Sequence, residues 1–250
     1  MDLFLSGTAR ALQLRVVALV SDYDLSRVAR VLRWYEALGS GTIDLLDAGA
    51  VRDLSPAERT RLTEAPVVIR ALLGRFGARM PTLFLGPKSA RPHAWTFRGG
   101  EAYALVPAGA RAAMIAHELG HLLFQWPDLP YGERDGVRCL MGRIPLPDEE
   151  DGIVPPCMAL RVAAGWAAPE PLSAGTPPSQ LAEQRAFAWA GLLIERWQNR
   201  LVAFELSHTT HGPLVALRRV ITIPPDSACA LALVSRTTRA REDRLMGAVG

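Results

Sequence analysis

Aliphatic and β-branched residues fill the run from Leu14 to Val20, and this unbroken apolar stretch predicts a buried strand. From Asp24 to Leu38 the period changes to that of a helix. Leu25, Val28, Val31, Leu32 and Tyr35 mark one apolar face, Asp22 and Asp24 offer caps, and Gly39 supplies a stop. Ser55-Pro56-Ala57-Glu58 has the order of a second helix start, with Ser as N-cap and Pro at the first helical position. That helix should break at Pro66 and resume to Leu73. Met80 to Leu85 and Ala94 to Phe97 read as strands, so an α/β unit precedes residue 100. Gly99-Gly100 then leads into Ala102-Tyr103-Ala104-Leu105-Val106. This is either an ordinary turn and strand or an edge strand beside a cleft, where Gly100, Ala102 and Tyr103 would meet an extended substrate by backbone hydrogen bonds.

An apolar helix over about 108–125 comes next, with Pro107 at its mouth and Pro127 beyond its end. Residues 126–157 are irregular and rich in Pro, Gly and Asp, and a connection this long in a compact domain is usually functional. Ser173 to Ser179 reads as a linker. Phe187 to Glu195, Leu201 to Leu206, Leu214 to Ile223 and Ala230 to Val234 then read as strands of a β-rich layer, and residues from 237 to 250 form a polar tail. The expected division is therefore 1–172, 173–236 and 237–250, in an α+β fold with a mixed sheet.

Composition narrows the function classes. The chain has 250 residues, 49% hydrophobic and 21% charged, enough to bury a sizeable core and too apolar for disorder. The net charge of +3 comes with arginines scattered along the chain, and Lys88 is its single lysine. No basic stripe interleaved with aromatics points to nucleic acid. No apolar run reaches membrane-spanning length, and residues 1–20 lack the charged start and apolar core of a signal peptide. The oligomeric state is not readable. Three cysteines rule out a disulfide framework, and Cys139 and Cys157 either pair or serve as small buried hydrophobes.

The chemistry concentrates in His117-Glu118-Leu119-Gly120-His121 on the apolar helix. Residues i and i+4 share a helix face, so both imidazoles can reach one metal ion, and zinc fits the set best. Glu118, a quarter turn from His117, suits a carboxylate that takes a proton from water beside that ion. Catalytic zinc usually takes three protein ligands, so a third must follow. Asp128 is the first acidic candidate, with Glu133 and Asp135 in reserve. Asp148-Glu149-Glu150-Asp151 carries the hard oxygen ligands that calcium takes, and reads first as a solvated loop. His208 and His211 read as turn histidines rather than as a second metal site.

The string H-E-L-G-H, then Pro127-Asp128-Leu129 with Tyr131, then Leu140-Met141-Gly142, resembles the active-site region of the immune inhibitor A family, metallopeptidases of the metzincin type. Pro155-Pro156, the segment Met158 to Trp166 and Leu192-Leu193-Ile194-Glu195-Arg196 extend the likeness over about 95–220. It implies a secreted zinc endopeptidase acting on protein or peptide, with His117, His121 and Asp128 on zinc, a zinc-bound water activated by Glu118 as general base, and Met141 as the Met-turn. One departure is plain. Metzincins read H-E-x-x-H-x-x-G-x-x-H/D, whereas Phe124 stands at the glycine position and Asp128 falls one residue late. A non-proteolytic relative that binds zinc or peptide, and a structural or interaction protein with an accidental motif, are the alternatives.

Overall fold

The computed structural model describes residues 12–51, 69, 73–74, 80–96, 101–129, 139–142, 153–183, 185–209, 212–223 and 229–234. The chain divides into two compact units, residues 1–127 with 144–155, and residues 128–143 with 156–250.

The first unit is built on a five-stranded mixed sheet. Strands β1 (Leu12–Ala18), β2 (Ile43–Ala50), β3 (Thr82–Gly86), β4 (His93–Thr96) and β5 (Ala102–Pro107) lie in the order β2-β1-β3-β5-β4. All pairings are parallel except β4 with β5, so an antiparallel strand closes one edge. β3 is buried along its whole length, and β1 and β5 over most of theirs, as strands covered on both faces must be. Helix α1 (Ser26–Leu38) buries Val28, Val31, Leu32 and Tyr35, four of the five residues expected on its apolar face. Asp24 accepts the Ser26 amide at 2.8 Å, and Gly39, at φ 110°, ends the helix in the left-handed conformation that glycine adopts without strain. Helix α2 (Ala112–Phe124) carries the H-E-x-x-H motif and packs against α1, β4 and β5. A core of Val17, Leu19, Ile69, Leu73, Phe84, Ala90, Tyr103 and Leu105 fills this unit.

The second unit contains helix α3 (Met158–Ala163) and a sheet in the order β10-β9-β8-β7-β6. Its strands are β6 (Glu170–Pro171), β7 (Ala186–Trp189), β8 (Leu192–Trp197), β9 (Arg200–Thr209) and β10 (Gly212–Thr222). β7 to β10 form an antiparallel meander. The expected single strand from Phe187 to Glu195 is a hairpin: Ala190 at φ 46° and Gly191 at φ 79° form its two-residue turn, the positive φ pair that matches strand twist. Residues 230–234, expected as a strand, are helical, with Ala230 and Val234 buried in the core beside Leu181, Phe187, Ile194 and Leu201. An apolar run of five residues fits either element, and here the i, i+4 pair faces inward. Ile69 and Leu73 are helical, as expected of the helix from Ser55, whose start lies outside the described residues together with the acidic run 148–151, His211 and the tail 237–250. Among those described, no helix is long and apolar enough to cross a membrane.

Candidate metal centre

Helix α2 enters from a loop held by α1: the Arg27 guanidinium donates to the carbonyls of Gly109 at 3.0 Å and Ala110 at 3.3 Å. Within the helix Ala112, Ile115, Ala116, Leu119 and Leu122 are buried, which fixes its rotation and turns His117 and His121 to a half-buried face. Their rings meet edge to face at 83°, and the two Nε2 atoms are 3.1 Å apart. Glu118 lies on the same turn and is only 6% exposed.

The far end of α2 resolves the irregular spacing noted in the sequence. The helix runs through Phe124, and Gln125 takes the left-handed conformation at φ 54°, ψ 31°. The Gln125 amide donates to His121 O at 3.1 Å, the single bond of an αL ending, and the Trp126 amide donates to Gly120 O at 3.3 Å. The chain thus turns one residue later than in the resembled pattern. Asp128 also comes one residue later, and its separation from the left-handed residue is kept. No glycine signals this turn, so the sequence alone could not locate it.

Among the described residues, His117, His121 and Asp128 form one group of metal-ligand type, with all three candidate atoms within 4.8 Å of one another. Glu133 and Asp135 lie outside the described residues. The donor set suits a zinc ion. His121 Nδ1 stands 2.6 Å from the Trp126 carbonyl, which can only accept, so Nδ1 carries a proton, and Nε2 faces His117. Two nitrogens bound at about 2.0–2.1 Å to one tetrahedral ion would stand about 3.3 Å apart, close to the observed 3.1 Å. With a carboxylate beside them, the three side chains offer a cation two borderline nitrogens and one hard oxygen.

Other expected site residues fall elsewhere. Ala102 and Tyr103 belong to β5, which is hydrogen-bonded to β3 on one side and β4 on the other, so the expected edge strand is an interior one. Tyr103 is fully buried. Its ring packs edge-on against Phe84, its hydroxyl is 3.1 Å from His93 Nε2, and burial pushes its pKa up to about 12. Gly100 lies outside the described residues. The edge belongs to β4, where Trp95 is 50% exposed; strand order is set by tertiary pairing, which a Gly-Gly signal does not report. Met141 is fully buried in the turn Cys139–Gly142, closed by Gly142 N–H to Cys139 O at 2.9 Å, and its carbonyl accepts the Leu129 amide at 2.7 Å. Cys139 and Cys157 are free and buried, with the Cys157 amide 3.2 Å from Cys139 Sγ, and burial pushes the Cys157 thiol up. His208 lies in β9, paired with Pro213.

No protein-family model matches the sequence, and no curated protein matches it. Among solved structures, a zinc-dependent peptidase from Methanocorpusculum labreanum is similar over 62% of this chain and 100% of its own, at 14% identity and a TM-score of 0.32. A chain from the structure of a chaperone-substrate complex is similar over 54% of this one, at 13% identity and a TM-score of 0.30; the match spans 28% of that chain. What the site can do follows from its own geometry.

Proposed function

We propose that the protein is a zinc-dependent endopeptidase of the metzincin type, akin to the immune inhibitor A family and acting outside the cell. One observation carries this reading: the candidate ligand atoms of His117, His121 and Asp128 lie within 4.8 Å of one another, and a buried glutamate, Glu118, stands between the two histidines on the helix. Bound there, zinc would polarise the scissile carbonyl and bring the pKa of a water toward ~7. Glu118 takes the proton from the attacking water and returns it to the leaving amine as the peptide bond breaks. His117, His121 and Asp128 would hold the ion and take no proton. The backbone link from Leu129 to Met141 fits a Met-turn that steadies the residue after Asp128. An extended peptide would add to the outer edge of β4, where backbone hydrogen bonds fix its register and Trp95 offers apolar contact.

The missing glycine would favour a non-proteolytic relative that binds zinc or peptide, and the left-handed turn at Gln125 supports the peptidase reading instead. The test is zinc stoichiometry measured alongside casein hydrolysis, with and without a chelator. One zinc per chain and chelator-sensitive hydrolysis are expected. A purified protein that takes up no zinc refutes the reading, and one that binds zinc without cleaving casein or unfolded peptides refutes the peptidase part of it.

A further inference from the structure

Three aromatic residues stand behind the histidine pair. Tyr35 of α1 packs against Phe124 at 5.0 Å and Trp126 at 6.1 Å between ring centroids, and Phe124 packs against Trp126 at 4.9 Å. Trp126 is 1% exposed, and Tyr35 is fully buried. The Tyr35 hydroxyl donates to the carbonyl of Ala116 at 2.6 Å, the residue before His117. The Trp126 carbonyl accepts from His121 Nδ1. A single residue of α1 thus reaches both histidines, one through the backbone just before it and one through the indole whose own carbonyl holds the ring.

Resting on the zinc-site reading above, we infer that Trp126 is a positioning residue for the metal-binding histidines, with Gln125 and Tyr35 holding it in place. The Trp126 carbonyl fixes His121 as the tautomer whose Nε2 is free to bind a metal. Its direction is set three times over. Gln125 in the left-handed conformation aims the chain, Pro127 restricts the residue before it to extended backbone, and the indole is wedged between Tyr35 and Phe124. Such outer partners of a metal-binding histidine typically matter 10- to 100-fold in metal affinity. The aromatic wedge and the left-handed glutamine together do what a glycine turn does elsewhere, and they add a carbonyl aimed at the ligand.

A cluster that serves only the core would, on truncation, lower stability and leave the histidine chemistry of the folded protein alone. The decisive measurements are the tautomer of His121 in the metal-free protein, read from nitrogen-15 shifts of the imidazole, and zinc affinity, read by competition with a chromophoric chelator. Wild type should show Nδ1–H; the Nε2–H form there overturns the inference without any variant. Trp126→Ala should move His121 toward Nε2–H and weaken zinc about 10- to 100-fold, yet add no further loss in a His121→Ala background. Tyr35→Phe keeps the ring packing and should weaken zinc several-fold, which decides the matter if Trp126→Ala does not fold. Variants that fold and keep both tautomer and affinity overturn the inference while wild type still binds zinc. A wild type with the Nδ1–H tautomer that binds no zinc overturns the zinc reading, and the positioning role with it.

Discussion

Two glutamates are buried among the described residues, and their surroundings differ. Glu195, on β8, is 2% exposed and ringed by donors: the amide of Ala159 at the start of α3, and the Trp197 indole N–H at 3.1 Å. Even so, burial outweighs those donors and raises its pKa from 4.5 to about 7. Glu118 is nearly as buried, but it stands mid-helix, where the backbone amides already serve the helix ladder, and it lies between His117 and His121, two residues of metal-ligand type. Burial alone therefore does not mark a working carboxylate. The same side chain is an internal strut where amides converge on it, and under the proposed function a proton carrier beside a candidate metal site.

The sharpest way to break this comparison is to remove each charge in turn. Glu118→Gln should lower peptide hydrolysis by about 10²–10⁴-fold with zinc still bound and stability unchanged or raised; a variant retaining half the activity would contradict the assigned role. Asp128→Ala should weaken zinc by about two orders of magnitude or more in the chelator competition, while Glu133→Ala and Asp135→Ala should change it little. If the pattern is reversed, the third ligand lies downstream.

Glu195→Gln should leave hydrolysis intact and act on stability alone. Folded Glu195 keeps its proton to about pH 7, whereas the unfolded side chain loses it near 4.5. Its contribution is therefore full below pH 4.5, shrinks as pH rises through that window, and is gone above 7. The window corresponds to on the order of 3 kcal/mol. Thermal melts of wild type at pH 5 and 8 should differ by that component, and the Gln variant should lack it; equal slopes for the two proteins would exclude Glu195 as its source. The smallest effect concerns the turn. Gln125→Gly relieves a left-handed side chain and should stabilise by up to ~1 kcal/mol less the entropy that glycine costs, while Phe124→Gly, in a helix and in the aromatic wedge, should destabilise by ~1 kcal/mol or more. Urea midpoints of the two variants on the same side of wild type would place the turn elsewhere.

What the chain made legible is what local physics decides. The apolar faces of α1 and α2, the run that becomes β1 and the i, i+4 spacing of His117 and His121 follow from periodicity and helix geometry. Strand order does not, and so β5 looked like an edge. β2 escaped notice because Ile43–Ala50 lies half in solvent and neither alternates cleanly nor forms an apolar run. The hairpin at Ala190-Gly191 was hidden by apolar residues on both sides. The turn at Gln125 was invisible for a more physical reason: its strained backbone is held by aromatic packing from α1, some ninety residues back along the chain.

The strand registers also bear on how fast each part of the chain can assemble. In the β7–β10 meander each strand meets its successor across a short turn, as where Thr209 pairs with Gly212, and such contacts close in microseconds. β1 instead waits for β3: Arg15 pairs with Thr82, across roughly seventy residues, and that long loop must close before the pairing repays its entropy. Helix α2 packs on β5, which depends on β3 in turn. The histidine pair therefore gains its final surroundings in the slow step of the first unit, and a chain refolding from denaturant would close the meander before it completed the candidate metal site.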